Sequence, residues 1–448
     1  MTKQEAVINY ISENYLAFNR LRHDVIADKL QIRMADSLEN AASGYSLEFK
    51  GTEYWREMTK HDINSIVCHC AQEYDANITS REVMTALQSD LIPDVHPLRE
   101  YIQSLRPYTP EQPDWIDMVA SQVRVRDSGS NGSKGSNGSK GEDTFGTSGT
   151  FRTSSTKTDR LWRICFKKWF VAMVASWMQD EVVNHQVLVL IGRQGIYKTT
   201  WLEHLLPPHL RAYACKLANS NDLNKDERLR IAEFGLISLD EIDSMNNREL
   251  NQLKSVITAS DVNERAAYAY TKERRVRLAS FCASGNRRDF LTDITGNRRW
   301  LPFEVESILN PFYTTLPYDL MYAQAWALAQ DPLFGYWFDL NEIEVLEQHN
   351  QHFRDESNEE QLLDVYFAVP STDASNAKFL TTAEISERLI YYGNIKKPMT
   401  LSRLGVLLSQ KGFLSVRRGN PSRRGWIIYE RESQEVNSER SILSKDLY

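Results

Sequence analysis

Three short apolar runs constrain the fold of this 448-residue chain more than any other feature. They are HQVLVLIG (185–192), FGLISLDE (234–241) and VRLASFCASGN (276–286), and each ends in glycine or polar residues. Continuous apolar runs that contain β-branched residues are typical of parallel strands buried on both faces. Segments with helical spacing separate the runs, and this alternation predicts an α/β fold around a parallel sheet.

A polar segment, Asp127–Asp159, divides the sequence. Gly, Ser and Thr dominate it, so it cannot offset the entropy of its own ordering, and we expect a flexible linker. The order helix, helix, hairpin with a basic tip predicts a winged-helix-like unit near the C-terminus. We therefore expect four parts: a mainly helical N-terminal domain with a short hairpin near its start (1–126), the linker (127–159), an α/β core (160–335), and a helical connector with the winged-helix-like domain (336–448).

The charge balance excludes a chain that binds nucleic acid through an overall basic surface. The formal net charge is −7, so any DNA contact must come from local basic patches. The close group Cys68-His69-Cys70 lacks a second ligand cluster, which favours free thiols in a reducing compartment over a zinc site. The sequence shows neither a signal-peptide pattern nor the roughly 18–20 apolar residues needed to span a bilayer. We expect a cytoplasmic protein without a membrane partner.

A glycine-containing turn, GRQGIYKTT (192–200), follows the first run. It fits the pattern G-x-x-x-x-G-K-[ST] at Gly192, Lys198 and Thr199, whereas Tyr197 replaces the second glycine. Such a turn directs backbone amides and a helix N-terminus at phosphate groups, with Lys198 on the β- and γ-phosphates of ATP and Thr199 on Mg²⁺. A purely structural strand-to-helix turn is the alternative. The predicted nucleotide-binding residues are Gly192, Gln194, Gly195, Ile196, Tyr197, Lys198, Thr199 and Thr200.

Polar residues at the ends of the other two runs extend the candidate site. Asp240 can hold Mg²⁺ through water, and Glu241 can orient or deprotonate the attacking water. Asn286 ends the third run, where it can position that water, and Arg298 or Arg299 can act as an arginine finger on the γ-phosphate of a neighbouring subunit. Each signal alone has a bland alternative, such as a solvated acidic turn. Their order along the chain favours a P-loop ATPase.

The stretch from about Trp162 to Val305 resembles the virulence-associated protein E family, phage- and island-borne relatives of superfamily 3 helicases in the AAA+ class. The resemblance rests on GRQGIYKTTWLE, LISLDEID, LKSVITASDVNERAAYAYTKERRVRLASFCASGN and TGNRRWLPFEV. It implies a ring of subunits, with six as the expected number, ATP at the subunit interfaces and single-stranded DNA in the pore. By matching position it also implies site roles: Lys198 and Thr199 in Walker A, Asp240 and Glu241 in Walker B, Asn286 as sensor 1, and Arg298 or Arg299 as the finger. Tyr197 departs from the family's glycine and puts the rate of hydrolysis in question.

Two basic segments are candidates for DNA contact. The resemblance implies a pore hairpin within 263–277, with Lys272 near its tip and Arg274 and Arg275 beside it. The alternative is a solvated hairpin face whose arginines pair with neighbouring acids. Residues 411–426 contain no acidic residue, and a wing there would contact phosphates; a protein-binding winged helix is the alternative. The predicted wing residues are Arg417, Arg418, Arg423 and Arg424.

These features predict an ATP-dependent DNA helicase or translocase of a phage, plasmid or genomic island that acts in replication of the element. The expected partners are single-stranded or forked DNA, further copies of the chain, and a separate primase or replication protein. Residues 1–125 lack the paired carboxylates on an apolar strand that a two-metal polymerising site favours, so we expect no primer synthesis. Two alternatives stay open: a regulatory or defence ATPase that DNA stimulates without unwinding, and a DNA-binding scaffold with a decayed P-loop.

Overall fold

A computed structural model describes residues 1–33, 55–127, 156–217, 225–264, 273–291, 297–354, 357–370, 376–419, 422–432 and 435–436. The chain divides into two compact units. The first comprises Met1–Arg287 and Arg299–Glu344, and the second Arg288–Arg298 and Val345–Tyr448. Most of the predicted linker lies outside the described residues, and its last three positions already belong to a helix.

The N-terminal part of the first unit surrounds a small sheet with helices. Its strands are β1 (Leu21–Asp24), β2 (Lys29–Arg33), β3 (Trp55–Glu57) and β4 (Asp94–Val95), in the order β3-β2-β1-β4. The strands β1 and β2 form the antiparallel hairpin expected near the start, and β4 runs parallel to β1. Beyond the expected hairpin, β3 and β4 extend the sheet, and strands of two or three residues are too short to show a clear alternation in the sequence. The elements are α1 (Lys3–Ile11), a π-helical turn (Ser12–Leu16), β1 (Leu21–Asp24), β2 (Lys29–Arg33), β3 (Trp55–Glu57), α2 (Lys60–Tyr74), α3 (Ser80–Leu87), β4 (Asp94–Val95), α4 (Pro97–Ser104) and α5 (Trp115–Ala120).

A larger, mostly parallel sheet forms the centre of the first unit. Five of its strands are parallel: β6 (Val187–Ile191), β7 (Ala214–Leu217), β8 (Leu236–Leu239), β11 (Ser280–Gly285) and β12 (Trp300–Ile308). The sixth, β5 (Val123–Val125), pairs antiparallel with β12 at one edge, and the order is β5-β12-β6-β11-β8-β7. All five residues of β6 are buried, which agrees with the parallel α/β sheet that the apolar runs predict. The elements are β5 (Val123–Val125), α6 (Lys157–Met178), β6 (Val187–Ile191), α7 (Lys198–Glu203), β7 (Ala214–Leu217), α8 (Lys225–Glu233), β8 (Leu236–Leu239), α9 (Asn247–Thr258), β9 (Asp261–Glu264), β10 (Glu273–Val276), β11 (Ser280–Gly285), β12 (Trp300–Ile308) and α10 (Tyr318–Gln330), with short 3-10 helices at Pro208–Tyr213, Ile242–Ser244 and Asn297–Arg299.

The long helix α6 packs against the sheet through aromatic side chains. Two indole groups also donate hydrogen bonds to the backbone beside the sheet: Trp169 to the Phe281 carbonyl at 3.0 Å and Trp177 to the Gly235 carbonyl at 3.1 Å. Buried indole N–H groups need such partners, so these contacts fix α6 relative to β11 and β8. The fully buried aromatic residues of α6 are Trp162, Phe166, Trp169, Phe170 and Trp177.

The first unit also includes residues 1–126, so its boundary differs from the predicted division at residue 126. The physical reason is that Val123–Val125, which precedes the predicted linker, pairs with the C-terminal half of Trp300–Ile308 as part of the central sheet. The two ends of the predicted linker therefore both adjoin elements of one unit.

The second unit combines helices with a small antiparallel sheet. The strand β16 (Arg423–Glu430) pairs with β13 (Phe367–Ala368), β14 (Lys378–Leu380) and β15 (Leu414–Arg418). The hairpin β15–β16 follows the helices α13 (Thr382–Gly393) and α14 (Leu401–Gln410), in the expected order. Its core contains Ile385, Leu389, Leu404, Leu407 and Trp426. The remaining elements are α11 (Leu340–Asn350), which crosses the boundary between the units, a 3-10 helix (Gln351–Phe353), α12 (Asn358–Tyr366), β13 (Phe367–Ala368), β14 (Lys378–Leu380), α13 (Thr382–Gly393), α14 (Leu401–Gln410), β15 (Leu414–Arg418) and β16 (Arg423–Glu430).

Two features are absent from the residues that the structure describes. None of the helices there is both long and apolar enough to cross a membrane. Within the same residues, no three His, Cys, Asp or Glu side chains cluster as ligands of one metal ion.

Candidate active site

The turn that joins β6 to α7 depends on unusual backbone angles. Gly192 has φ +157° and its amide donates to the Gly285 carbonyl at 3.1 Å; a Cβ there would lie 2.8 Å from the Val305 carbonyl oxygen. Gly195 has φ +85°. Tyr197, at the first position before α7, has φ +68°, a left-handed conformation that glycine adopts freely and other residues adopt at a cost. The backbone therefore explains why the sequence pattern favours glycine at this position.

Lys198 begins α7 and is buried, although lysine is seldom buried. Its ammonium group donates to the carbonyl oxygens of Gly192 and Arg193, both at 2.7 Å, and to Asn286 Oδ1 at 3.3 Å. Burial lowers the pKa of Lys198, while the nearby carboxylates of Asp243 and Asp240 act in the opposite direction. The ammonium group is thus held inside the turn, beside the end of β11.

Asp240 directly follows β8, and its carboxylate contacts polar side chains of β11, α7 and β7. Its Oδ1 accepts from Ser284 Oγ at 2.8 Å and from Thr199 Oγ1 at 3.2 Å, and the two hydroxyl oxygens are 2.9 Å apart. Its Oδ2 lies 2.9 Å from Lys216 Nζ. Burial alone would raise the pKa of Asp240, but the bonds from Lys216 and Ser284 outweigh it and hold the pKa below its usual value.

Thr199 and Asp240 were predicted from the sequence, and the structure brings them together. Ser284 and Lys216 were not. Ser284 lies two residues before Asn286, at the end of the third apolar run, and that position was the only signal for it. Lys216 lies on β7, which is not one of the three runs, and only the pairing of β7 with β8 places it beside Asp240.

Glu241 and Asn286 lie at the same edge of the sheet. Glu241 has φ +51° and an exposed side chain, and it precedes the 3-10 helix Ile242–Ser244. Asp243 in that helix accepts the backbone amides of Asn286 and Arg287, both at 3.1 Å. Asp243 therefore fixes the turn that carries Asn286, a role that sequence analysis missed.

The candidate finger residues follow one another in the 3-10 helix Asn297–Arg299. Arg298 is exposed and belongs to the second unit, whereas Arg299 is half-buried and belongs to the first. Of the remaining predicted nucleotide-binding residues, Gln194 is exposed, Ile196 and Thr200 are half-buried, and the Thr200 carbonyl accepts a hydrogen bond from His204 Nδ1 at 2.7 Å.

The predicted pore hairpin is formed by β9 and β10, and Lys272 lies outside the described residues. Arg274 forms an ion pair with Asp261. Arg275 lies 3.1 Å from Asp28 and 3.6 Å from Glu233. Both arginines therefore contact acids at the base of the hairpin, as the alternative interpretation expects.

The four predicted wing arginines are all exposed on the hairpin β15–β16. The register places Arg417 opposite Arg424 and Arg418 opposite Arg423. Like charges directly opposite each other on a sheet repel. The hairpin therefore concentrates positive charge on exposed side chains.

Comparisons with known proteins give a family and several structures. Residues 143–356 match the family model described as a virulence-associated protein E-like domain. An apo structure of the NrS-1 C-terminal region has 10% sequence identity and a TM-score of 0.44, covering 95% of this chain and 100% of that one. An A-form apo structure of the same region has 11% identity and a TM-score of 0.44, covering 96% and 100%. A search of curated proteins finds no match.

Proposed function

We propose that this chain is an ATP-dependent DNA helicase or translocase of a phage, plasmid or genomic island, acting in replication of that element, because residues 143–356 match the model of a virulence-associated protein E-like domain. One observation carries the proposal: Lys198, Thr199, Asp240 and Asn286 meet where the parallel strands β6, β8 and β11 end. Ligands of open α/β sheets bind at the carboxyl ends of the strands. A buried lysine beside a cluster of one carboxylate and two hydroxyl groups at this edge suits a nucleoside triphosphate with a divalent cation.

Each residue of the candidate site would have a separate role in binding or hydrolysing ATP. The backbone amides from Gly192 to Thr200 would hold the phosphates at the N-terminus of α7, and Lys198 would exchange its carbonyl partners for phosphate oxygens. Thr199 and Asp240 would hold Mg²⁺, which when bound supplies positive charge that offsets the charge developing on the γ-phosphate. Glu241 would take the proton of the attacking water, and Asn286 would orient that water. Ser284 fixes the carboxylate of Asp240.

Assembly and DNA contact complete the proposal. Arg298 or Arg299 would act on the ATP site of a neighbouring subunit, which requires a ring, with six subunits expected. Lys272 would contact single-stranded DNA in the pore, and the wing arginines would contact duplex or forked DNA through phosphates. The opposed arginine pairs of the wing support this role, because an anionic partner would relieve their mutual repulsion. The N-terminal part would serve assembly or the docking of a separate primase.

Two single substitutions test the ATPase. We expect Lys198→Ala to abolish turnover, because it removes the cation inside the phosphate turn. Glu241→Gln should retain ATP binding and lose hydrolysis, because the amide keeps the shape of the carboxylate but not its basicity. ATP binding and phosphate release are measured separately, with and without a single-stranded oligonucleotide. Parent-rate turnover by Glu241→Gln would show that this glutamate is not the base.

One observation favours the alternative of an ATPase without unwinding: Arg274 and Arg275 contact acids and are therefore partly neutralised. The left-handed Tyr197 keeps open the third possibility, a DNA-binding scaffold with a decayed P-loop. Strand displacement on a forked duplex separates the first two, and DNA-stimulated ATP turnover separates both from the scaffold.

A further inference from the structure

Three aromatic rings form an exposed corner beside the phosphate turn. The ring centroids of Tyr197 and Phe312 are 6.4 Å apart with planes at 81°, and those of His204 and Phe312 are 5.7 Å apart at 83°. Tyr197 is 38% exposed and Phe312 is 69% exposed, so both rings are accessible to a ligand. We call Tyr197, His204 and Phe312 the aromatic corner.

The aromatic corner is continuous with the turn that would hold phosphates. Tyr197 directly precedes Lys198, and His204 directly follows α7, the helix that starts at the turn. Phe312 lies in the segment after β12, where its amide donates to Asn310 Oδ1 at 3.0 Å. Asn310 Nδ2 in turn lies 3.4 Å from the Tyr197 hydroxyl. Two separate segments, the one around α7 and the one after β12, therefore bring these aromatic rings together.

We propose that the aromatic corner binds the base of the nucleotide whose phosphates occupy the 192–200 turn. This inference rests on the proposed function and names residues that would select the ligand. Only the ribose and the α-phosphate separate the base from the β-phosphate, so the base must settle on residues close to the turn. Rings at nearly right angles let a planar base stack on one ring and present its edge to the other. The aromatic side chain at the position of the missing glycine thereby gains a role.

The experiment compares ATP with inorganic tripolyphosphate, which keeps the phosphates and lacks the base. Affinities of both are measured by calorimetry on the full-length protein in Mg²⁺. Phe312→Ala should weaken ATP binding about five- to tenfold, the loss expected for one stacking contact, and leave tripolyphosphate binding unchanged. Tyr197→Asn should do the same, because asparagine tolerates the left-handed backbone but has no ring. Tyr197→Phe should bind ATP as the parent does.

Tyr313→Ala is the matched control, since Tyr313 follows Phe312 and is 90% exposed. It should leave both affinities unchanged. Equal weakening of ATP and tripolyphosphate in Phe312→Ala would overturn the proposal, because the ring would then only support the turn. Unchanged ATP affinity in Phe312→Ala would also overturn the proposal. If that variant kept its nucleotide affinity but lost its oligomers in mass photometry, the aromatic corner would be a contact between subunits instead. If the parent binds neither ligand, the proposed function itself fails, a result that differs from each of these.

Discussion

Tyr197 occupies a position where its side chain and its backbone have opposite preferences. The left-handed backbone, with φ +68°, favours glycine, while the ring contacts Phe312. The sequence predicted the turn and identified Tyr197 as the departure from the pattern. It could not show that a second aromatic ring, more than a hundred positions away, lies beside it.

The backbone cost at Tyr197 can be measured with two variants that both remove the ring. We expect Tyr197→Gly to be more stable than Tyr197→Ala by about 1 kcal/mol, because glycine, unlike alanine, has no Cβ that clashes at a positive φ. The free energy of unfolding is obtained from urea titrations of each variant. Equal stability would mean that the turn relaxes out of the left-handed region.

Lys216 controls the ionisation of Asp240, the proposed Mg²⁺ ligand. Its bond to Oδ2 is one of the contacts that hold the pKa of Asp240 below its usual value, so the carboxylate stays ionised to lower pH. Lys216→Met removes that contact and should raise the pKa. ATP turnover should then be lost at a higher pH on the acid side of the profile, while the plateau above it changes less. Lys216→Arg, which keeps the charge, should follow the parent profile; coincident acid limbs for all three proteins would refute the role.

At the scale of elements, the sequence predicted what local patterns encode. The three apolar runs became β6, β8 and β11, and the aromatic helix α6 packs on their sheet. The order β5-β12-β6-β11-β8-β7 was not predictable, because pairing between distant strands leaves no local signature. Ser284, Lys216 and Asp243 were missed for the same reason: their roles exist only once β7, β8 and β11 lie side by side.

The base of the hairpin β9–β10 is fixed by Arg277, which is buried just after β10. Its guanidinium donates to the carbonyl oxygens of Ile257 and Ala259 at the end of α9, and of Asn184 at 2.9 Å. Arg277 therefore connects the hairpin to the C-terminal end of α9.

Replacing Arg277 with Met should lower the free energy of unfolding by about 3 kcal/mol, because several buried carbonyl groups lose their donor. Arg274→Met is the matched control in the same hairpin. The Arg274 side chain is 75% exposed, so its loss should change stability by less than about 0.5 kcal/mol. Urea unfolding of both variants checks this, and similar values for the two would argue against an anchoring role for Arg277.

The basic hairpin β15–β16 can be tested through the salt dependence of DNA binding. Each phosphate contact adds about one unit to the slope of log affinity against log salt concentration. Changing Arg417, Arg418, Arg423 and Arg424 together to Gln should therefore weaken binding and reduce the slope by as many as about four units. Changing Lys396 and Lys397, two exposed cations of the same unit outside the hairpin, should leave the slope as it is. If the slope of log affinity against log salt concentration is unchanged in the variant that lacks all four arginines, the wing would bind a protein partner instead of DNA.

At the scale of the whole molecule, the sequence separated the N-terminal part from the α/β core, whereas both belong to the first unit. Asp24 illustrates why. It is fully buried, and its carboxylate accepts the Tyr213 hydroxyl at 2.6 Å and the Gln31 side-chain amide at 3.0 Å. In the sequence, Asp24 stands in a polar stretch and resembles an ordinary surface acid. Contacts made by single residues across long separations carry no periodic pattern, so the sequence could not predict this join.

The proposed ring predicts that one active site needs two chains. Lys198 would come from one subunit and Arg298 or Arg299 from the next, so either defect alone should abolish turnover. Mixing Lys198→Ala subunits with subunits that lack both arginines should restore part of the activity, because some interfaces then combine an intact lysine with an intact arginine pair. ATP turnover is measured across mixing ratios, and mass photometry with ATP and a single-stranded oligonucleotide verifies that mixed oligomers form.

Mixing Lys198→Ala with Glu241→Gln is the control. An active site needs Lys198 and Glu241 from the same subunit, and no subunit in this mixture carries both, so no recovery of ATP turnover is expected. Recovery in the control, or its absence in the first mixture at every ratio, would contradict a site shared between neighbours.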